Sequence, residues 1–188
     1  TGNTSNFRGE YAIASCPCDD RNLLFHIHRD DADEFARRLF AGAIKPNDPV
    51  SLFGPFGTFV LKKDSPNDLV FIACDTGFAP VKSLVEHAVA SDLPGLQRLI
   101  WAATGADGHY LENQCRAWAD ALETFSYVAL RAADPRAAGS EAARRVLDEG
   151  ELAHRDVYVV GPAEFVEAAQ RALAAGGLPA AQLIVEVL

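Results

Sequence analysis

Two glycine-bearing corners carry the chemistry that can be read most directly. The first is Cys74-Asp-Thr-Gly-Phe-Ala-Pro80, which closes the apolar run 69–74. Gly77 lets the backbone turn sharply and approach a ligand closely. Pro80 suits the first turn of a following helix. The free N–H groups and positive end of that helix can take a phosphate or pyrophosphate. The second corner is Gly161-Pro162, directly after the apolar run 157–160 and opening another helical segment. In an open parallel sheet, ligands sit beyond the carboxyl ends of the strands. Two such corners on one sheet would flank a dinucleotide.

Other candidate chemistries are weaker. His26 and His28 lie two apart on one strand face, a two-ligand metal arrangement. No third ligand is evident nearby, so no metal site is expected and the pair reads as part of a half-solvated face. Lys82, in the first turn of its helix, reads as a solvated lysine, with a phosphate contact as the alternative. His87 reads as a surface residue, and Trp101 and Trp118 as core. No Ser-His-Asp arrangement, G-x-S-x-G or H-E-x-x-H occurs, so a hydrolase has no support. The four cysteines, Cys16, Cys18, Cys74 and Cys115, are too few for a disulfide scaffold. Cys16-Pro-Cys18 reads as two reduced thiols in a turn. The C-x4-C-x2-C spacing of a plant-type iron–sulfur cluster is absent.

The elements that must position these residues fall into two regimes. Up to residue 63 the chain reads as short strands and turns. Strands are expected at 11–15, 22–28, 50–53 and 58–61, a helix at 33–41, and a turn at Gly54-Pro-Phe-Gly57. Residues 62–68 are polar and read as a linker. Beyond it, apolar runs at 69–74, 99–103, 125–130, 157–160 and 183–188 alternate with helical segments at 79–90, 111–122, 140–147 and 163–175. That alternation predicts βαβ units on a parallel sheet buried on both faces.

With 188 residues, 49% of them apolar and 23% charged, the chain is an ordinary globular one. No apolar run reaches the ~18 to 20 residues of a membrane span. The 26 acidic against 17 basic side chains give a net charge of −9, which makes nucleic acid a poor partner. No signal peptide or lipidation motif is visible, so the cytosol is the expected compartment. The chain opens on Thr1 and contains no Met, which suggests a piece of a longer protein.

The order of strand-TGFAP-helix, strand-GP-helix, the upstream Gly54-Pro-Phe-Gly57 and Tyr11-Ala-Ile-Ala-Ser15 resembles the ferredoxin–NADP reductase superfamily of flavin oxidoreductases. The segment His109-Tyr-Leu-Glu-Asn-Gln-Cys-Arg-Ala-Trp-Ala-Asp120 is similar to members that pair a reductase with a ferredoxin-like domain. The resemblance implies an α/β fold in two parts. Residues 1–63 would be a truncated antiparallel flavin-binding β-barrel. Residues 64–188 would be a five-stranded parallel, doubly wound NAD(P)-binding domain of strand order 3-2-1-4-5. The implied job is hydride transfer from NAD(P)H to FAD, then electron transfer to an iron–sulfur or similar acceptor. The implied partner is a ferredoxin-like iron–sulfur domain or protein.

By the same resemblance, Tyr11 would stack on the flavin ring and Thr76 would face the nicotinamide, the two implied catalytic positions. Arg8, Ala12, Ile13, Ala14, Ser15, His26, His28, Gly54, Gly57 and Thr58 would line the flavin side. Asp75, Gly77, Ala79, Pro80, Thr104, Asp107, Gly161, Pro162 and Phe165 would line the nucleotide side, Phe165 standing where the family usually has Met.

The sequence also departs from that pattern. Gly9 replaces the Arg two before the Tyr, Ala12 replaces the Ser after it, and Val160 replaces the Cys before Gly-Pro. The usual C-terminal aromatic is missing. The stretch Arg29-Asp-Asp-Ala-Asp-Glu34 replaces a Gly-x-x-Ser helix start, and its carboxylates repel a diphosphate. The FAD site is incomplete as given: upstream strands exist, or flavin is held weakly, or it has been lost. A nucleotide-binding regulatory or docking module without flavin is the alternative. Thr104-Gly-Ala-Asp-Gly-His109 offers no Arg or Lys, and Asp107 could accept from a ribose hydroxyl, which leans toward NADH.

Overall fold

The computed structural model describes residues 8–19, 21–62 and 64–188. Its first helix, α1 (Glu34–Phe40), starts where the Asp33 carboxylate accepts the Ala36 N–H at 3.0 Å. The rest alternates strand and helix: β1 (Asp68–Cys74), α2 (Phe78–Ala90), β2 (Gln97–Ala103), α3 (Glu112–Ala121), β3 (Phe125–Arg131), α4 (Pro135–Asp148), β4 (Arg155–Gly161), α5 (Ala163–Ala175) and β5 (Leu183–Val187). The five strands form one parallel sheet of order β3-β2-β1-β4-β5, as the resemblance implies. The chain winds outward from β1 to β3, then returns to place β4 on the other side of β1. The order therefore reverses between β1 and β4, and in open α/β sheets the carboxyl ends of the strands at such a switch point are where ligands sit.

Packing follows from residue type. β1 and β4 are buried along nearly their whole length because helices cover both faces. On one face Ile72, Val159 and Leu173 pack with the small residues Ala138, Ala142 and Ala143 of α4. On the other, Phe71, Trp101 and Tyr158 pack with Phe78, Val81 and Val85 of α2. Helix α4 begins five residues before the expected 140. Asp134 caps it by accepting the Ala137 N–H at 2.8 Å, and Pro135 occupies the first helical position.

Residues 8–62 correct the expected strands. Among the described residues their only β pairing is an isolated antiparallel bridge, Ile13 to Phe25. The segments 50–53 and 58–61 form no ladder, and Leu52, Phe53, Phe56 and Val60 are exposed. A strand exists only with a neighbour to bond, and these segments have none here. Two further corrections concern the same region. Cys16 and Cys18 are joined as a disulfide rather than left as two thiols. The polar stretch after residue 61 is pinned rather than free. Asp156, fully buried at the start of β4, accepts from Lys62 Nζ at 2.7 Å, Ser65 Oγ at 2.5 Å and Asn67 Nδ2 at 3.4 Å. Lys62 also donates its backbone N–H to the Tyr158 hydroxyl at 2.9 Å and its ammonium to the Ala181 carbonyl. Among the described residues no helix is long and apolar enough to cross a membrane.

Candidate functional site

The two corners meet. A Cβ added at Gly77 would lie 2.6 Å from the Val160 carbonyl oxygen and 3.2 Å from Gly161 Cα. One added at Gly161, where φ is +155°, would lie 2.8 Å from Cys74 Cβ. Only glycine permits this approach, so the two corners lie directly against each other. Gly77 and Ala79 are buried, while Thr76, Pro80 and Pro162 are partly exposed. No side chain caps α2, whose N-cap is Gly77, or α5, whose N-cap is Pro162. The Phe78 N–H already donates to the Asp75 and Thr76 carbonyls; the remaining first-turn N–H groups and the positive ends of the two helices suit an anionic group. The backbone N–H of Leu188 donates to the Gly161 carbonyl at 3.0 Å.

A second set of bonds ties β1 to the loop after β2. Asp75, in the left-handed region at φ +49°, accepts the Thr104 N–H at 3.0 Å and the Thr104 hydroxyl at 2.6 Å. Its carbonyl accepts Trp101 Nε1–H at 3.0 Å. Trp101 stacks on Phe78 with ring centroids 4.0 Å apart, and its carbonyl accepts from His109 Nε2 at 2.7 Å. Asp107 is exposed on the same loop.

The upstream segment is gripped by α2. Lys82 Nζ donates to the Ala14 carbonyl at 3.3 Å and pairs with Glu86 at 2.6 Å, and Ser83 Oγ donates to the Ser15 carbonyl at 2.7 Å. Lys82 is only 7% exposed, which corrects the solvated reading: it holds a main-chain carbonyl of the 11–15 segment. That grip was invisible in the sequence, because its partners lie 68 residues apart. Ala14 and Ser15 are buried, and Ala12 and Ile13 partly so.

His26 shares a 2.8 Å hydrogen bond with the Tyr110 hydroxyl, while His28 is exposed. Burial, helped by the Lys82 charge, pulls the His26 pKa down to about 4. The unfolded chain binds this proton near the ordinary 6.5. Between about pH 6.5 and 4 the unfolded state therefore holds more protons, and stability rises with pH across that window. The contribution of neutral His26 is complete above 6.5 and is lost as pH falls toward 4. Thermal melts across this range should slope for the wild type and flatten for H26N; equal slopes would refute the assignment.

The remaining expected residues are scattered. Arg8, Gly54, Gly57 and Thr58 are exposed. Gly57 lies against the end of β5, where an added Cβ would be 3.7 Å from Glu186 Oε1. The Tyr11 hydroxyl donates to Asp33 at 2.5 Å, and its ring covers Gly9, where an added Cβ would sit 2.4 Å from it. Phe165 is fully buried, behind Gly161 and beneath α4, so it supports the corner from inside. Arg131 was missed in the sequence: the register sets this end of β3 beside Ala103 and so next to the β2 loop.

A parallel sheet that reverses at β1 and β4, with an uncapped helix start at each corner, defines a nucleotide-binding α/β domain. The chain matches the oxidoreductase NAD-binding domain over residues 71–171 and belongs to that family. It is similar to the reductase component 2 of terephthalate 1,2-dioxygenase from a Comamonas species, 28% identical over 119 residues, 63% of this chain and 35% of that protein. It is similar also to the reductase component of propane 2-monooxygenase from Rhodococcus jostii, 26% identical over 182 residues, 92% of this chain and 49% of that protein. The chain thus spans half or less of the length of these relatives. Its fold resembles that of the Amycolatopsis cytochrome P450 reductase GcoB, with a TM-score of 0.82 at 21% identity over 98% of this chain and 57% of that one. It also resembles the ferredoxin–NADP+ reductase of Plasmodium falciparum, with a TM-score of 0.77 at 18% identity over 95% of this chain and 76% of that one. These likenesses are of fold.

Proposed function

We propose that this chain is the pyridine-nucleotide-binding part of an NAD(P)H-dependent flavin oxidoreductase whose electrons pass to an iron–sulfur or similar redox partner. The observation that carries the reading is the contact between the Gly77 and Gly161 corners, which brings the starts of α2 and α5 together at the switch point of the sheet. The names of the relatives, all reductase components, point the same way. In this reading the N–H groups at the start of α2 take the pyrophosphate. Thr76 and Pro162 border the nicotinamide, and Thr104 and Asp107 border the adenosine ribose. The absence of Lys and Arg from residues 104–109 favours NADH.

At the start of α1, where the resemblance sets the flavin diphosphate, the Asp33 carboxylate already caps the helix and takes the Tyr11 hydroxyl, and the Tyr11 ring fills the space over Gly9. These same contacts favour a second reading, a nucleotide-binding module without its own flavin. One experiment separates the two. NADH or NADPH at 100 times its Kd should stabilise the protein by about 2.7 kcal/mol in either reading. Only the reductase reading expects absorption between 350 and 500 nm after incubation with FAD, and bleaching of that band by NADH. No thermal shift with either nucleotide would reject both.

A further inference from the structure

We propose that Asp75 is a positioning residue that locks the ribose-side loop to the phosphate corner, and that its charge there disfavours a nucleotide bearing a 2′-phosphate. The inference rests on the nucleotide-binding reading above and deepens it.

Asp75 stands at the head of the corner in the left-handed region, a backbone conformation unfavourable for a non-glycine residue. Aspartate tolerates that region, but strain at such a place needs a return elsewhere. The return is visible in its bonds. Both carboxylate oxygens are engaged by Thr104, one by the backbone N–H and one by the hydroxyl, across from β1 to the end of β2. Its carbonyl takes the Trp101 indole N–H from the same strand. Gly108 closes the loop over it, since an added Cβ there would lie 2.7 Å from Asp75 Oδ1. The carboxylate is therefore occupied and does not wait for a ribose hydroxyl. What it does is fix where residues 104–108 stand relative to Thr76 and Gly77.

The charge has a second consequence. Residues 104–108 carry Asp107 and no cation. Asp75 adds a carboxylate beneath this loop, where its hydrogen bonds come from a neutral amide and hydroxyl. A phosphate on the ribose would meet two negative groups. Arg131, beside Ala103 on the next strand, is the rival determinant.

The test is nucleotide affinity, read by calorimetry on the full chain with NADH and NADPH in parallel. D75N keeps an oxygen for Thr104 but removes the charge. It should hold NADH within about threefold of the wild type and tighten NADPH about tenfold. D75A, which removes the lock, should weaken both nucleotides, and T104V should do so with the NADH-to-NADPH ratio unchanged. A purely structural role would move both affinities together in D75N. Should D75N fail to fold, D75G carries the ratio measurement, since it relieves the left-handed strain and removes the charge. A ratio unchanged in D75N or D75G, or one that shifts only in R131A, overturns the inference and leaves the nucleotide reading standing. A wild type that binds neither nucleotide overturns both.

Discussion

Gly77→Ala is expected to reduce NADH affinity by about 100-fold or more and to lower stability by about 1–3 kcal/mol. The new methyl would sit 2.6 Å from the Val160 carbonyl oxygen and 3.0 Å from its carbon. Both are backbone atoms of a central strand, held on both sides by β1 and β5. They cannot swing away as a side-chain tip can, so the corner itself must lift. Lifting it moves Thr76 and the first N–H groups of α2 away from Pro162, and the nucleotide loses both walls at once. Calorimetric titration with NADH, beside a thermal melt, separates the two effects. A G77A protein that binds NADH as the wild type does would contradict the corner as a nucleotide site, and with it the proposed function.

The second large effect lies at the opposite end of the sheet. Asp156→Ala should cost about 3 kcal/mol, because Lys62, Ser65 and Asn67 lose their shared acceptor at once while the partly exposed Lys62 can turn to water. Asp156 is fully buried, and three donors from the linker converge on it. Burial works against its charge, yet the hydrogen bonds from Lys62, Ser65 and Asn67 more than offset this and hold its carboxyl below the ordinary range. The folded state therefore releases this proton more readily than the unfolded one. The stabilisation is fully present above the unfolded value of about 3.9 and is lost as pH falls through the folded value. Urea melts of D156A and K62M at neutral pH should both show large losses, and the double variant should lose less than the sum. Strict additivity would mean that the clamp is not a unit.

The parts legible in the sequence were those governed by local rules. Continuous apolar runs such as 69–74 announce strands buried on both faces, and Gly77 and Gly161 announce corners because no other residue fits there. Asp134-Pro135 also carried a readable helix start, which the apolar spacing of later residues obscured. The rest depended on neighbours distant in the chain. Lys82, in the first turn of its helix, reads as a solvated lysine. Only the Ala14 carbonyl, from another segment, reveals why the lysine is buried. The resemblance sets Asp75 on the nucleotide side, and nothing in its local sequence announces that Thr104 bonds both its carboxylate oxygens. Residues 50–61 have strand-like composition, but a strand is a property of a pair, and composition cannot supply the partner.

The bond from the Leu188 amide to the Gly161 carbonyl has a practical corollary. It brings the last residue of this sequence to the rim of the proposed binding cleft. Anything joined after that residue, whether a native continuation, a purification tag or a fused reporter, would emerge at the entrance through which the coenzyme must pass.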